Sequence, residues 1–137
     1  MSGGHAGCPN VVAFERLPRL AMDPISRPGL PKQESQSGEW GKVLFRSADG
    51  RYAAGLWSGD AGSIEIESYP VDEFCYVIEG EVTLTDVEGE SRTFKTGDAF
   101  LVPAGFKGVW GMNRPTIKYF VCHGEIEMVS HLLGGSR

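Results

Sequence analysis

The sequence predicts an all-β fold, one barrel or sandwich of short strands, and three observations carry that reading. Turn residues recur at about ten-residue spacing from Trp40 onward, as ADG at 48–50, GDAG at 59–62, VEGE at 87–90 and KTGD at 95–98. Glycine makes up 19 of 137 residues without a three-residue period, which suits tight turns and excludes a collagen-like chain. No segment before the last dozen residues keeps a 3.6-residue apolar repeat, so helices are minor.

The length fits one domain, which divides into an arm over residues 1–37, a barrel over 38–130 and a tail over 131–137. Five of the eight prolines, Pro9, Pro18, Pro24, Pro28 and Pro31, fall in the arm, where they forbid a continuous helix. Within it the apolar run Val11 to Leu17 is expected against the barrel or against a partner subunit. In the barrel, the runs KVLFRS, RYAAGLWS, SIEIESY, FCYVIEGEVTLTD, SRTF, AFLVPAGFKGVWGM and TIKYFVCH read as strands between the turns. Alternation in Ser63 to Tyr69 places Glu65, Glu67 and Tyr69 on one face and Ile64 and Ile66 on the other. The run Phe74 to Ile78 is apolar on both faces, as expected of a strand covered on both sides by a second sheet or a subunit. The final GGSR reads as a loose end.

Composition narrows the function classes. A net charge of −5 without a basic cluster argues against nucleic-acid binding. No stretch approaches the ~20 apolar residues of a membrane span, and the first ten residues lack the basic and apolar regions of a secretory leader. Cys8, Cys75 and Cys122 are odd in number and form no CxxC pair, which fits reduced thiols and a cytoplasmic setting.

Two stretches resemble the cupin superfamily. Its first motif ends in glutamate, six residues and glycine, matched by Glu73 and Gly80; its second begins with glycine, five residues and P-x-G, matched by Gly97, Pro103 and Gly105. The match looks closer to the small single-domain Cupin_3 or DUF861 branch, similar to (S)-ureidoglycine aminohydrolase. It runs through Asp49-Gly50-Arg51, Gly55, Trp57, Tyr69, Asp72 to Gly80, Gly97 to Trp110 and Lys118-Tyr119. The resemblance implies a cupin jelly roll, commonly dimeric, with a ligand held in the barrel. Gly80 and Gly97 are expected at sharp turns with positive φ, and Pro103 with Gly105 is expected to reorient the chain before Trp110.

The resemblance also implies a metal held by three histidines and a glutamate, and here this sequence departs from the pattern. The H-x-H positions fall on Glu67 and Tyr69, or on Ile66 and Ser68 with the longer spacer, and the third histidine position is Gly108. The only histidines are His5, His123 and His131. No metal and no cofactor is therefore expected, beyond a weak oxygen-only cation site at Glu67, Tyr69 and Glu73.

With Glu73 inward, period two adds Cys75 and Val77, with Glu67 and Tyr69 before them, and Trp110 and Met112 beside Gly108 on the later strand. The last strand offers either Lys118, Phe120 and Cys122 or Ile117, Tyr119 and Val121. The candidate ligand-binding set is Glu67, Tyr69, Cys75, Val77, Trp110, Met112, Lys118 and Phe120, with space expected at Gly108. Glu73 is the candidate catalytic residue, since a carboxylate inside an apolar barrel without a metal suits general acid or base work; paired with Lys118 or Arg51 it would be inert. Cys75 reads as packing rather than a nucleophile, Trp57 as core, and Trp110 as core or ligand platform. The expected function is a small-molecule-binding cupin, metal-independent, that binds or acts on a small polar metabolite. The alternatives are a metal-dependent enzyme with atypical ligands and a non-catalytic structural or regulatory dimer. A homodimer is expected in each case, because a jelly roll exposes edge strands that need cover.

Overall fold

The computed structural model describes residues 10–25 and 38–133; His5, Cys8, Pro9, Pro28, Pro31 and the final GGSR lie outside the described residues. Among the described residues ten strands form: β1 (Asp23–Pro24), β2 (Glu39–Arg46), β3 (Tyr52–Gly59), β4 (Gly62–Ile66), β5 (Asp72–Glu79), β6 (Glu81–Asp86), β7 (Ser91–Lys95), β8 (Ala99–Val102), β9 (Gly108–Met112) and β10 (Thr116–His123). They pair antiparallel into one sheet of order β1-β2-β3-β10-β5-β8 and a second of order β4-β9-β6-β7. This is the jelly roll that the resemblance to cupins implies.

The core lies between the two sheets and is built by alternation. Strand β10 buries Thr116, Lys118, Phe120 and Cys122, which settles its parity in favour of Lys118. Strand β5 buries Glu73, Cys75 and Val77 and turns Phe74 and Tyr76 outward. From the other sheet come Val82, Trp110 and Met112. Such interdigitation contributes about 25 cal/mol for each Å² of apolar surface removed from water.

Strand β3 is buried on both faces after Tyr52, and the arm explains why. Arg19 lies 3.8 Å over the Trp40 ring, donates to Ser58 Oγ at 3.0 Å and pairs with Asp60 at 2.7 Å. Pro24 and Asp23 extend the sheet along β2. The apolar run of the arm touches the barrel through Phe14, packed edge-on against Tyr119, while Val11 stays exposed. At the other end, helix α1 (Ile126–Leu132) buries Val129 in the core, so the chain expected to become a tail at 131 is still helical there.

Turns fall where glycine was expected. Gly80 and Gly97 adopt φ of +94° and +93°, a region that a Cβ makes costly. Among the described residues no helix is long and apolar enough to cross a membrane.

Candidate functional site

Register sets the geometry of the barrel's polar centre. Lys118 lies opposite Val77, Phe120 opposite Cys75 and Cys122 opposite Glu73. Lys118 and Glu73 are thus offset by four residues along β5, about 13 Å of strand, and two long side chains must reach toward each other to meet. They meet beside Cys75: Lys118 Nζ donates to Glu73 Oε2 at 2.6 Å and to Cys75 Sγ at 3.2 Å. Glu73 is 2% exposed and Lys118 3%.

Tyr69 Oη donates to Glu73 Oε1, so each carboxylate oxygen holds a donor. The backbone fixes Tyr69 there. Its N–H donates to the Phe106 carbonyl at 2.8 Å, and its own carbonyl accepts from the Gly105 N–H at 2.8 Å. The turn that Pro103 and Gly105 build between β8 and β9 therefore clamps the tyrosine that precedes β5.

Aromatic rings close the cluster. Lys118 Nζ sits 4.6 Å from the centre of the Trp110 ring and 5.2 Å from that of Trp57, within cation–π range. Trp110 lies parallel to Tyr69 and meets Trp57 edge-on at 6.1 Å. Trp57 Nε1 donates to Glu39 Oε1 at 2.9 Å. Trp110 is 4% exposed, and its Nε1 has no acceptor among the described residues.

Charge follows from these contacts. Burial opposes the ammonium of Lys118, but the neighbouring Cys75 sulfur and Glu73 carboxylate outweigh it and hold the lysine above its ordinary range. Burial pushes the Cys75 thiol far upward, so at neutral pH the sulfur is an uncharged acceptor rather than a nucleophile. Burial likewise raises Cys122 to about 11.

The structure brings Glu73, Tyr69, Cys75, Trp110 and Lys118 together, with Val77, Met112 and Phe120 buried in the same core. Glu67 is a correction. Strand β4 ends at Ile66, the chain bends through Glu67 and Ser68, and the period of two does not survive the bend, so Glu67 is exposed while Tyr69 still packs inward. Gly108 is a second correction: a Cβ there would overlap the Thr85 carbonyl oxygen, so the missing side chain opens no space. Glu73 pairs with Lys118 and not with Arg51, which lies near Glu125. Trp57 is in the core, as expected, and Phe100, absent from the expected set, joins it with its ring 5.8 Å from that of Trp110; alternation in Ala99–Val102 is the signal for it.

A family model described as the EutQ-like cupin domain matches residues 46–120, more than half of the chain. The chain belongs to the EutQ-like cupin domain family. This EutQ-like cupin superposes on the EutQ protein of Clostridium difficile with a TM-score of 0.60 at 18% identity, covering 74% of this chain and 76% of that one. It is 26% identical to a putative ethanolamine utilization protein Q from Salmonella typhimurium, with a TM-score of 0.56 over 64% of this chain and 70% of that one. A DUF861 family protein of unknown function from Pseudomonas syringae pv. tomato is 25% identical, with a TM-score of 0.64 over 77% of this chain and 46% of that one. No curated protein matches.

The metal of metal-binding cupins does not fit these residues. Among the described residues no three of His, Cys, Asp and Glu are grouped to hold an ion. The carboxylate at Glu73 already faces an ammonium at 2.6 Å. A transition ion would have to displace Lys118 and would find one carboxylate, a neutral thiol and a phenol there, a poor set beside three imidazoles. In this EutQ-like cupin the cation beside the carboxylate is Lys118.

Proposed function

We propose that this cupin is a metal-independent small-molecule-binding protein whose ligand, a small polar metabolite, sits against the Tyr69–Glu73–Lys118–Trp110 cluster. The observation that carries the reading is the Lys118–Glu73 pair, both members buried within a largely apolar core. Replacing such a pair by packed apolar groups is often neutral or stabilising, so stability alone is a weak account of its place. A pre-oriented charge pair framed by aromatic rings is the arrangement of polar handles and apolar walls that small-molecule sites use. Glu73 is a positioning group here: both of its oxygens accept hydrogen bonds from Tyr69 and Lys118.

Thermal-shift screening against small metabolites tests the proposal. A ligand at one hundred times its Kd should add about 2.7 kcal/mol of stability, and Lys118→Met should abolish that gain. A library that shifts nothing contradicts the proposal.

We further propose that the protein acts as a homodimer, and that free thiols at Cys75 and Cys122 suit the cytoplasm. The outer face of the six-stranded sheet supports the dimer. It exposes Phe74 (45%), Leu101 (58%), Val121, Phe45 and Tyr76, and such a patch on one chain asks for cover.

A further inference from the structure

The donors and charges of the barrel centre define what kind of ligand it can take. Resting on the reading above that a small molecule binds there, we propose that the ligand presents an uncharged carbonyl oxygen to the indole N–H of Trp110. Trp110 is 96% buried, on its 4% exposure, and its Nε1 has no acceptor among the described residues, whereas the Trp57 indole donates to Glu39. A buried donor left unmatched is unfavourable, and the group that resolves it must carry an acceptor.

The neighbours exclude charge of either sign. A cationic ligand finds its place taken: Lys118 Nζ lies at 2.6 Å from Glu73 Oε2 and faces both indole rings, while Tyr69 holds the other carboxylate oxygen. An anionic ligand finds too few protons. Lys118 donates to Glu73 and Cys75, with its remaining side toward the Trp57 and Trp110 rings, and Tyr69 donates to Glu73. A carboxylate has about four acceptor positions to satisfy, and adding it would turn a neutral cluster into a buried net negative charge. A carbonyl needs one donor and adds no charge. Phe100 and Trp57, both packed against Trp110, supply apolar surface to a compact carbonyl compound.

The test uses the full chain and three probes of nearly equal size: acetone, acetate and isopropylammonium. The readout is the ¹H–¹⁵N resonance of the Trp110 indole, assigned by its loss in Trp110→Phe. Acetone is expected to shift that resonance saturably at millimolar concentration, with acetate and isopropylammonium leaving it in place. In Trp110→Phe, acetone binding read at the Met112 methyl is expected to weaken about tenfold, the loss of one buried hydrogen bond. If that variant does not fold, assignment by contacts to Tyr69 and Phe100 keeps the wild-type comparison decisive. Saturation by acetate or isopropylammonium at equal or lower concentration overturns the carbonyl class while leaving a barrel that binds small molecules. If no probe moves the resonance, the Trp110 site is overturned; the broader reading falls with it only when the metabolite screen is silent as well.

Discussion

At the scale of single residues, Lys118 and Glu73 form an ion pair held out of water. Removing either partner strands a buried charge, so Glu73→Gln and Lys118→Met should each cost about 3–5 kcal/mol in denaturant unfolding. Replacing both with apolar groups, as in Glu73→Leu with Lys118→Met, should recover most of that loss, because the remaining charge goes with its partner. A double variant that loses as much as the two single variants together would show that the pair is not coupled. Glu67→Ala is the control: the side chain is exposed, and the change should stay within about 0.5 kcal/mol. The pH dependence follows from the same groups. Cys75, Cys122 and Lys118 all hold their protons more tightly in the folded chain than in the unfolded one. The folded form therefore binds more protons in alkali; each contribution is intact below the group's ordinary value, 9.0 for the thiols and 10.5 for the lysine, and declines above it, that of Cys122 being lost as the pH climbs through about 11 while those of Cys75 and Lys118 persist to higher pH. Unfolding midpoints measured across that window should fall, and a flat profile would contradict the buried placement of the thiols.

At the scale of elements, turns and register do the positioning. Gly80 and Gly97 share a positive φ, but they differ in surroundings. A Cβ at Gly80 would overlap Thr116 and the Pro115 carbonyl, and one at Gly97 meets nothing within 4 Å. Gly97→Ala should therefore cost about 1–2 kcal/mol for its backbone alone, and Gly80→Ala clearly more, as measured by chemical denaturation. Much of this layer was legible beforehand. Glycine, proline and the period of two located the turns, the inward face of β5 and the inward face of β9, because those strands run straight past their motif residues. The parity of β10 was open, since TIKYFVCH carries apolar side chains at alternate positions of either phase and only pairing with β5 chooses between them. Glu67 was misplaced for a related reason: a bend after Ile66 breaks the alternation, and no glycine or proline before Pro70 announces it. Gly108 was misread because a missing side chain was equated with space, whereas the neighbouring strand's backbone closes in on it.

At the scale of the whole molecule, the jelly roll leaves large apolar side chains exposed on one sheet face and the Lys118–Glu73 pair buried. The outer patch around Phe74 and Leu101 is expected to join two copies, so sedimentation at micromolar concentration should report a dimer, and Leu101→Glu should shift it to a monomer without unfolding the chain. A wild-type monomer at that concentration would remove the dimer. The buried centre carries the larger claim, that an ammonium tethered to the chain occupies the carboxylate that a metal ion would need. Elemental analysis of protein purified without a histidine tag, after incubation with manganese, iron, nickel and zinc and removal of free ion, reads this directly. Far less than one transition ion per chain is the result expected from a carboxylate already neutralised by Lys118; one tightly held ion per chain, lost on Glu73→Gln, would contradict it.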